Sequence, residues 1–124
     1  MFPTTEVADF LRHLTSDPVQ SFAETFLVGD KSGAHPISRD RFLQALPGRA
    51  VMFTRAGIGT PELADTAVTV LDDHYLLART QWVAPRVRAE AVQLASSYVL
   101  HHDGEGLRVV VYLNHRGPSD VDDV

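Results

Sequence analysis

The feature that most constrains this chain is a change of hydrophobic period near its middle. Up to Gly57 and Gly59 the apolar residues recur at helical spacing; beyond them they alternate or sit in runs rich in Val, Thr and Tyr. A chain that is helical first and extended second does not interleave strand and helix as a parallel α/β fold does. It is expected to pack N-terminal helices on a C-terminal antiparallel sheet, an α+β architecture.

Thr4 or Thr5 can cap a first helix that carries Val7, Phe10, Leu11 and Leu14 on one face, and Asp17-Pro18 ends it. Val19, Phe22, Ala23, Phe26 and Leu27 predict a second helix stopped at Gly29. Residues 30–38 are rich in turn formers, with room for one short extended piece. Ser38 caps a third helix with Phe42, Leu43 and Leu46, which Pro47-Gly48 should kink or break before residues 50–53 resume. Four strands follow near residues 62–71, 74–83, 90–102 and 107–115. Asp72-Asp73 and Asp103-Gly104-Glu105-Gly106 make short hairpin turns, residues 84–89 make a longer one, and the strands form a meander.

Strand faces add a detail. On the last strand Leu107, Val109, Val111, Leu113 and His115 should share one side, and Arg108, Val110, Tyr112 and Asn114 the other; on the third strand Leu94, Ser96, Tyr98 and Leu100 should lie together. Neither side of this sheet reads as fully wet, whereas a sheet with one solvated face alternates cleanly. One face is expected to meet the helices and the other a second copy of the protein, giving a homodimer through the sheet. Residues 1–117 read as one domain and residues 118–124, with three aspartates, as a frayed acidic tail.

Charge and composition exclude several functions. The net charge is −5 and the 11 basic residues are scattered singly, so no Lys/Arg stripe exists to neutralise a phosphate backbone, and nucleic acid is not an expected partner. There is no cysteine, which removes disulfides, thiolate chemistry and sulfur-rich zinc sites. The longest apolar stretches, at residues 50–53 and 109–113, fall far short of the ~20 residues of a membrane span. The start, Met1-Phe2-Pro3-Thr4-Thr5-Glu6, does not read as a secretory signal, and a cytoplasmic location is expected. Gly57-Ile58-Gly59 follows a helix, which is the wrong context for a dinucleotide fingerprint. No phosphate loop or Gly-x-Ser-x-Gly turn is present, and no cofactor is expected.

The order of elements, with the break at Asp17-Pro18, the segment Phe26-Leu27-Val28-Gly29-Asp30, a third helix and a four-strand meander, resembles the nuclear transport factor 2-like superfamily. The closing run from Gly106 to His115, with Arg108-Val109-Val110-Val111-Tyr112-Leu113-Asn114, looks like the last strand of its bacterial ketosteroid-isomerase-like and polyketide-cyclase-like members. The resemblance implies a cone-shaped fold whose curved antiparallel sheet wraps the helices around a pocket, commonly as a homodimer. In ketosteroid-isomerase-like members a carboxylate just before a proline is the proton-transfer base; the comparable place here reads Gly33-Ala34-His35-Pro36, so His35 stands in that position. The first-helix tyrosine of such enzymes has no match, because Phe10, Leu11 and Leu14 fill the apolar face.

The candidate residues follow from side-chain chemistry. His35 can act as a general base, against the plainer reading of a solvent-exposed loop histidine. Trp82, Tyr98, Tyr112 and Asn114 suit a cavity for small organic ligands, since aromatic bodies with polar tips both pack and orient; they suit a core or dimer contact equally well. Arg79, mid-strand, needs an acidic partner or an anionic ligand if buried, and Asp65 on the neighbouring strand can supply the first. Asp72-Asp73-His74 and His101-His102-Asp103 gather at one end of the meander, but adjacent strand residues point to opposite faces, so they read as turn formers and no metal site is expected.

Three functions fit. The first is a protein that binds a small apolar or aromatic molecule between helices and sheet. The second is an isomerase-, dehydratase- or cyclase-type enzyme with His35 as base and Tyr98 or Tyr112 as donor. The third is a dimeric interaction module without catalysis.

Overall fold

The computed structural model describes residues 4–14 and 16–117, with side chains from Glu6 onward. The expected Thr4/Thr5 cap and the acidic tail at 118–124 lie outside the described side chains and residues. The elements run α1 (Thr4–Arg12), α2 (Pro18–Ser21), β1 (Phe22–Asp30), β2 (Gly33–Ser38), α3 (Arg39–Arg55), β3 (Glu62–Val70), β4 (Tyr75–Arg86), β5 (Ala89–His102) and β6 (Leu107–Arg116). The six strands form one sheet in the order β2-β1-β6-β5-β4-β3.

The C-terminal four strands are the expected antiparallel meander, tied by its aspartates. Asp72 Oδ1 accepts from the His74 and Tyr75 amides, both at 2.8 Å, and Asp103 Oδ1 accepts from Glu105 and Gly106 at 2.9 and 3.1 Å. These backbone donors hold both carboxyls below the ordinary carboxylate range, His74 chief for Asp72 and Glu105 for Asp103. The turn expected over residues 84–89 is tighter: β4 runs to Arg86 and β5 starts at Ala89, with Arg88 in the left-handed region at φ 66°.

Three expectations need correction. The predicted second helix survives only as α2, and Phe22 begins a strand that pairs antiparallel with β2 and parallel with β6, so the sheet is mixed. Phe22 and Phe26 are four apart, a spacing that puts them on one face in a helix and in a strand alike, and sheet pairing decides between the two. The third helix does not break at Pro47. It continues to Arg55 because Phe42, Leu46, Arg49 and Phe53 fall at i, i+4, i+7 and i+11, one stripe along seventeen residues, and that stripe offsets the ~3 kcal/mol cost of an interior proline. The faces of β6 switch midway, since Leu100 pairs with Val109 and Val99 with Val111, leaving Val110 as the extra residue of a bulge. Leu107, Val109, Tyr112 and Asn114 therefore share the inner face, while Val111 and Leu113 lie on the outer one.

The helices cover one face of the sheet. Val7, Leu11 and Leu14 pack with Phe22, Phe26, Leu76, Ala78, Tyr98, Leu100, Leu107, Val109 and Tyr112 in the main core. A second, smaller core joins Ile58, Ala84, Val92 and Leu94, with Phe53, Ala56 and Trp82 packed against it. On β4 and β5 the inner-face residues between these two cores are Thr80 and Ser96.

Candidate functional site

The strand registers turn that interval into a row. Thr66 pairs with Thr80, Thr80 with Ser96, and Ser96 with Asn114, so four polar side chains cross the inner face of β3, β4, β5 and β6 as a belt between two apolar cores. Polar groups in such a place must find partners, because burying one unbonded costs about 1–3 kcal/mol. Most of them do. Thr80 Oγ1 lies 3.0 Å from the Ser96 carbonyl oxygen, to which it donates, and 2.7 Å from Ser96 Oγ. Trp82 Nε1 donates to Thr80 Oγ1 at 2.8 Å and to Ser96 Oγ at 3.2 Å, and Ser96 Oγ reaches the Tyr98 hydroxyl at 3.1 Å. At the β3 end, the buried Thr66 Oγ1 has no hydrogen-bond partner among the described residues.

Aromatic rings flank the belt. Tyr98 and Tyr112 stack with centroids 5.1 Å apart and planes 5° from parallel. Tyr112 meets Phe42 of α3 edge-on at 6.4 Å, and Phe42 packs on Phe22 and Phe26 at 4.7 and 5.2 Å. Tyr98 is only 6% exposed, and burial pushes its phenol well above the ordinary value of 10.0, with Tyr112 adding to the shift; it stays a neutral hydrogen-bond donor.

Over the Tyr112 end of this array lies α3, which encloses none of its side chains completely. Phe42 anchors one end of its stripe in the main core and Phe53 the other in the small core. Between them stands Arg49, half-buried, its guanidinium carbon 5.7 Å from the centroids of both Phe53 and Tyr112. Such placement over ring faces is a cation–π contact.

Trp82, Tyr98, Tyr112 and Asn114 are thus gathered on one face, Asn114 in the belt and the three rings beside it. Arg79 is not among them: it lies exposed on the outer face opposite Ala67, and Asp65 faces Gln81, so the expected facing pair does not form. His35 is exposed on the edge strand β2, opposite Val28 and two strands from Tyr112, with no bonded partner among the described residues. Near the β3–β4 turn, His101 lies 4.8 Å from the Tyr75 ring and 6.4 Å from His74, and no group of three His, Cys, Asp or Glu able to hold a metal occurs among the described residues. A separate cleft of about 430 Å³ opens between the first two helices and the β5–β6 turn, lined by Phe10 and Leu107 and by charges of both signs, including Asp17, Asp103 and Arg108. Residues missed from sequence are Thr66, Thr80, Ser96 and Arg49; the 42/46/49/53 spacing is the signal that finds the last.

Solved structures share this fold. An NTF2-like protein of unknown function from Shewanella oneidensis superposes with a TM-score of 0.70 at 10% identity, covering 92% of this chain and 99% of that one. An NTF2-like protein with a cystatin-like fold from Novosphingobium aromaticivorans gives 0.66 at 16% identity, over 91% and 80% of the two chains. The chain has the nuclear transport factor 2-like fold. An NTF2-like protein of unknown function in nutrient uptake from Rhodospirillum rubrum matches with a TM-score of 0.61 at 14% identity, over 89% and 97%. No protein-family model and no curated protein matches the sequence. The helix-covered face of the sheet carries the belt, and no helix among the described residues is long and apolar enough to cross a membrane.

Proposed function

We propose that this protein binds a small apolar or aromatic molecule between α3 and the inner face of the sheet, against the belt of Thr66, Thr80, Ser96 and Asn114. The observation that carries the reading is a buried hydroxyl, Thr66 Oγ1, left unbonded in a row whose other hydroxyls are bonded. Apolar walls with a few convergent polar groups are the make-up of small-molecule sites. Trp82, Tyr98 and Tyr112 supply ring surface, and Asn114 a polar tip. The bonded array of Thr80, Trp82, Ser96 and Tyr98 includes no carboxylate or imidazole, and His35 is exposed on an edge strand; both favour binding over proton transfer.

The outer face supports a homodimer as part of the same proposal. Leu27, Val111, Val99 and Leu77 stand directly opposite one another across β1, β6, β5 and β4, and Leu27 is 42% exposed. Such a stripe is covered by a second copy of itself. A cytoplasmic setting, which a cysteine-free chain suits, completes the reading.

The test is nuclear magnetic resonance of the protein titrated with indole and with cyclohexanol. Trp82 is the one tryptophan, so its indole N–H gives a single resolved signal beside the belt. Saturable movement of that signal with either probe is expected. An unmoved signal at millimolar probe contradicts the site.

A further inference from the structure

We infer that the bound molecule carries a single carboxylate, received by Arg49 over the Tyr98–Tyr112 pair; this rests on the small-molecule site proposed above and names the class of ligand it takes.

Arg49 occupies an apolar stripe. Its neighbours at i−7, i−3 and i+4 are Phe42, Leu46 and Phe53, and its guanidinium is 5.7 Å from two ring centroids. Among the described residues it has no carboxylate partner, although the chain holds 16 acidic residues against 11 basic ones. A half-buried cation in such surroundings is normally paired. The two ring faces offset part of its desolvation but occupy none of its five N–H donors, which lie in a planar fork matched to a carboxylate.

The belt points to the same chemistry. The Tyr98 hydroxyl, 3.1 Å from Ser96 Oγ, keeps one further hydrogen-bonding position for a polar group of the ligand. Arg49 lies near enough for its charge to act on that phenol. One guanidinium in a protein of net charge −5 balances one negative charge, which selects a monoanion over a phosphate dianion. Trp82 and the stacked tyrosines call for an apolar or aromatic body behind that carboxylate.

The experiment compares 4-phenylbutyrate with its neutral amide, binding being read from Trp82 emission and by calorimetry on the full chain. The carboxylate is expected to bind about tenfold or more tighter, as a hydrogen-bonded ion pair does. Arg49→Gln is expected to abolish that preference, and in the natural protein the preference should shrink with added salt. Equal affinity of the two probes for the natural protein overturns the carboxylate and leaves the site standing. Failure of both to bind overturns the site and the carboxylate together. The comparison of probes needs no variant, so a misfolded Arg49→Gln does not blunt it.

Discussion

Two helices lie on the same face of this sheet and are built for different tasks. On α1, Val7 and Leu11 are 0% and 1% exposed and interlock with Leu76, Leu100 and Val109. On α3, nearly twice as long, no side chain is enclosed, and Val51 and Met52 are 47% and 45% exposed. The difference is in what each covers. α1 rests on apolar strand residues and can close against them, whereas the α3 stripe carries Arg49 at its centre and is pinned at its ends by Phe42 and Phe53. The closer packing of α1 marks it as structure, and the looser packing of α3 suits the binding role proposed for it.

The sharpest way to break this contrast is to make the same truncation on both helices. Leu11→Ala should cost about 2–5 kcal/mol in urea unfolding, since a fully enclosed leucine leaves a cavity. Leu46→Ala on α3 should cost roughly 1 kcal/mol or less, because its site is already open to relaxation. Equal losses contradict the division of labour.

Next in size is the belt. Ser96→Ala removes the hydroxyl shared by Thr80, Trp82 and Tyr98 and should cost about 1–3 kcal/mol. The same variant should shift the Trp82 emission, because its indole N–H loses one acceptor.

Alkaline pH probes the belt from another side. Tyr98 is held protonated by burial in the folded state and titrates near pH 10.0 when unfolded. The unfolded chain gives up that proton first, so the contribution is complete below about pH 10 and declines as the pH rises beyond it. Tyr98→Phe should flatten this alkaline decline in unfolding free energy measured over about pH 9–11; an unchanged slope contradicts a buried, neutral Tyr98.

The smallest effect has the opposite sign. Thr66→Val deletes a buried hydroxyl that has no partner and keeps the shape of the side chain, so it should stabilise by about 1 kcal/mol or less. It should also weaken binding of a hydroxyl- or carbonyl-bearing ligand, which is the signature of a group kept for function. A loss of stability would show that Thr66 is bonded in solution.

Much of this was legible in the sequence, and the exceptions have physical reasons. The β5 face of Leu94, Ser96, Tyr98 and Leu100 reads directly from alternation, as do the turns at Asp72 and Asp103. The resemblance to the nuclear transport factor 2-like superfamily carried the fold. Strand β1 was hidden because a spacing of four satisfies both periods and because its pairing partner, β6, lies some eighty residues away. Arg49 was hidden because Pro47 suggested a break that would have cut its stripe in two. The belt was hidden because a row across four strands depends on register, and the β6 bulge moves Tyr112 and Asn114 onto the face of Val109.

The measurement that bears most directly on the account is a crystal structure of the full chain grown with 4-phenylbutyrate. Density is expected between α3 and the sheet, with the carboxylate on Arg49 and the phenyl ring against Trp82, Tyr98 or Tyr112. A belt closed over by α3, with Arg49 turned to solvent and no density beneath it, would contradict it.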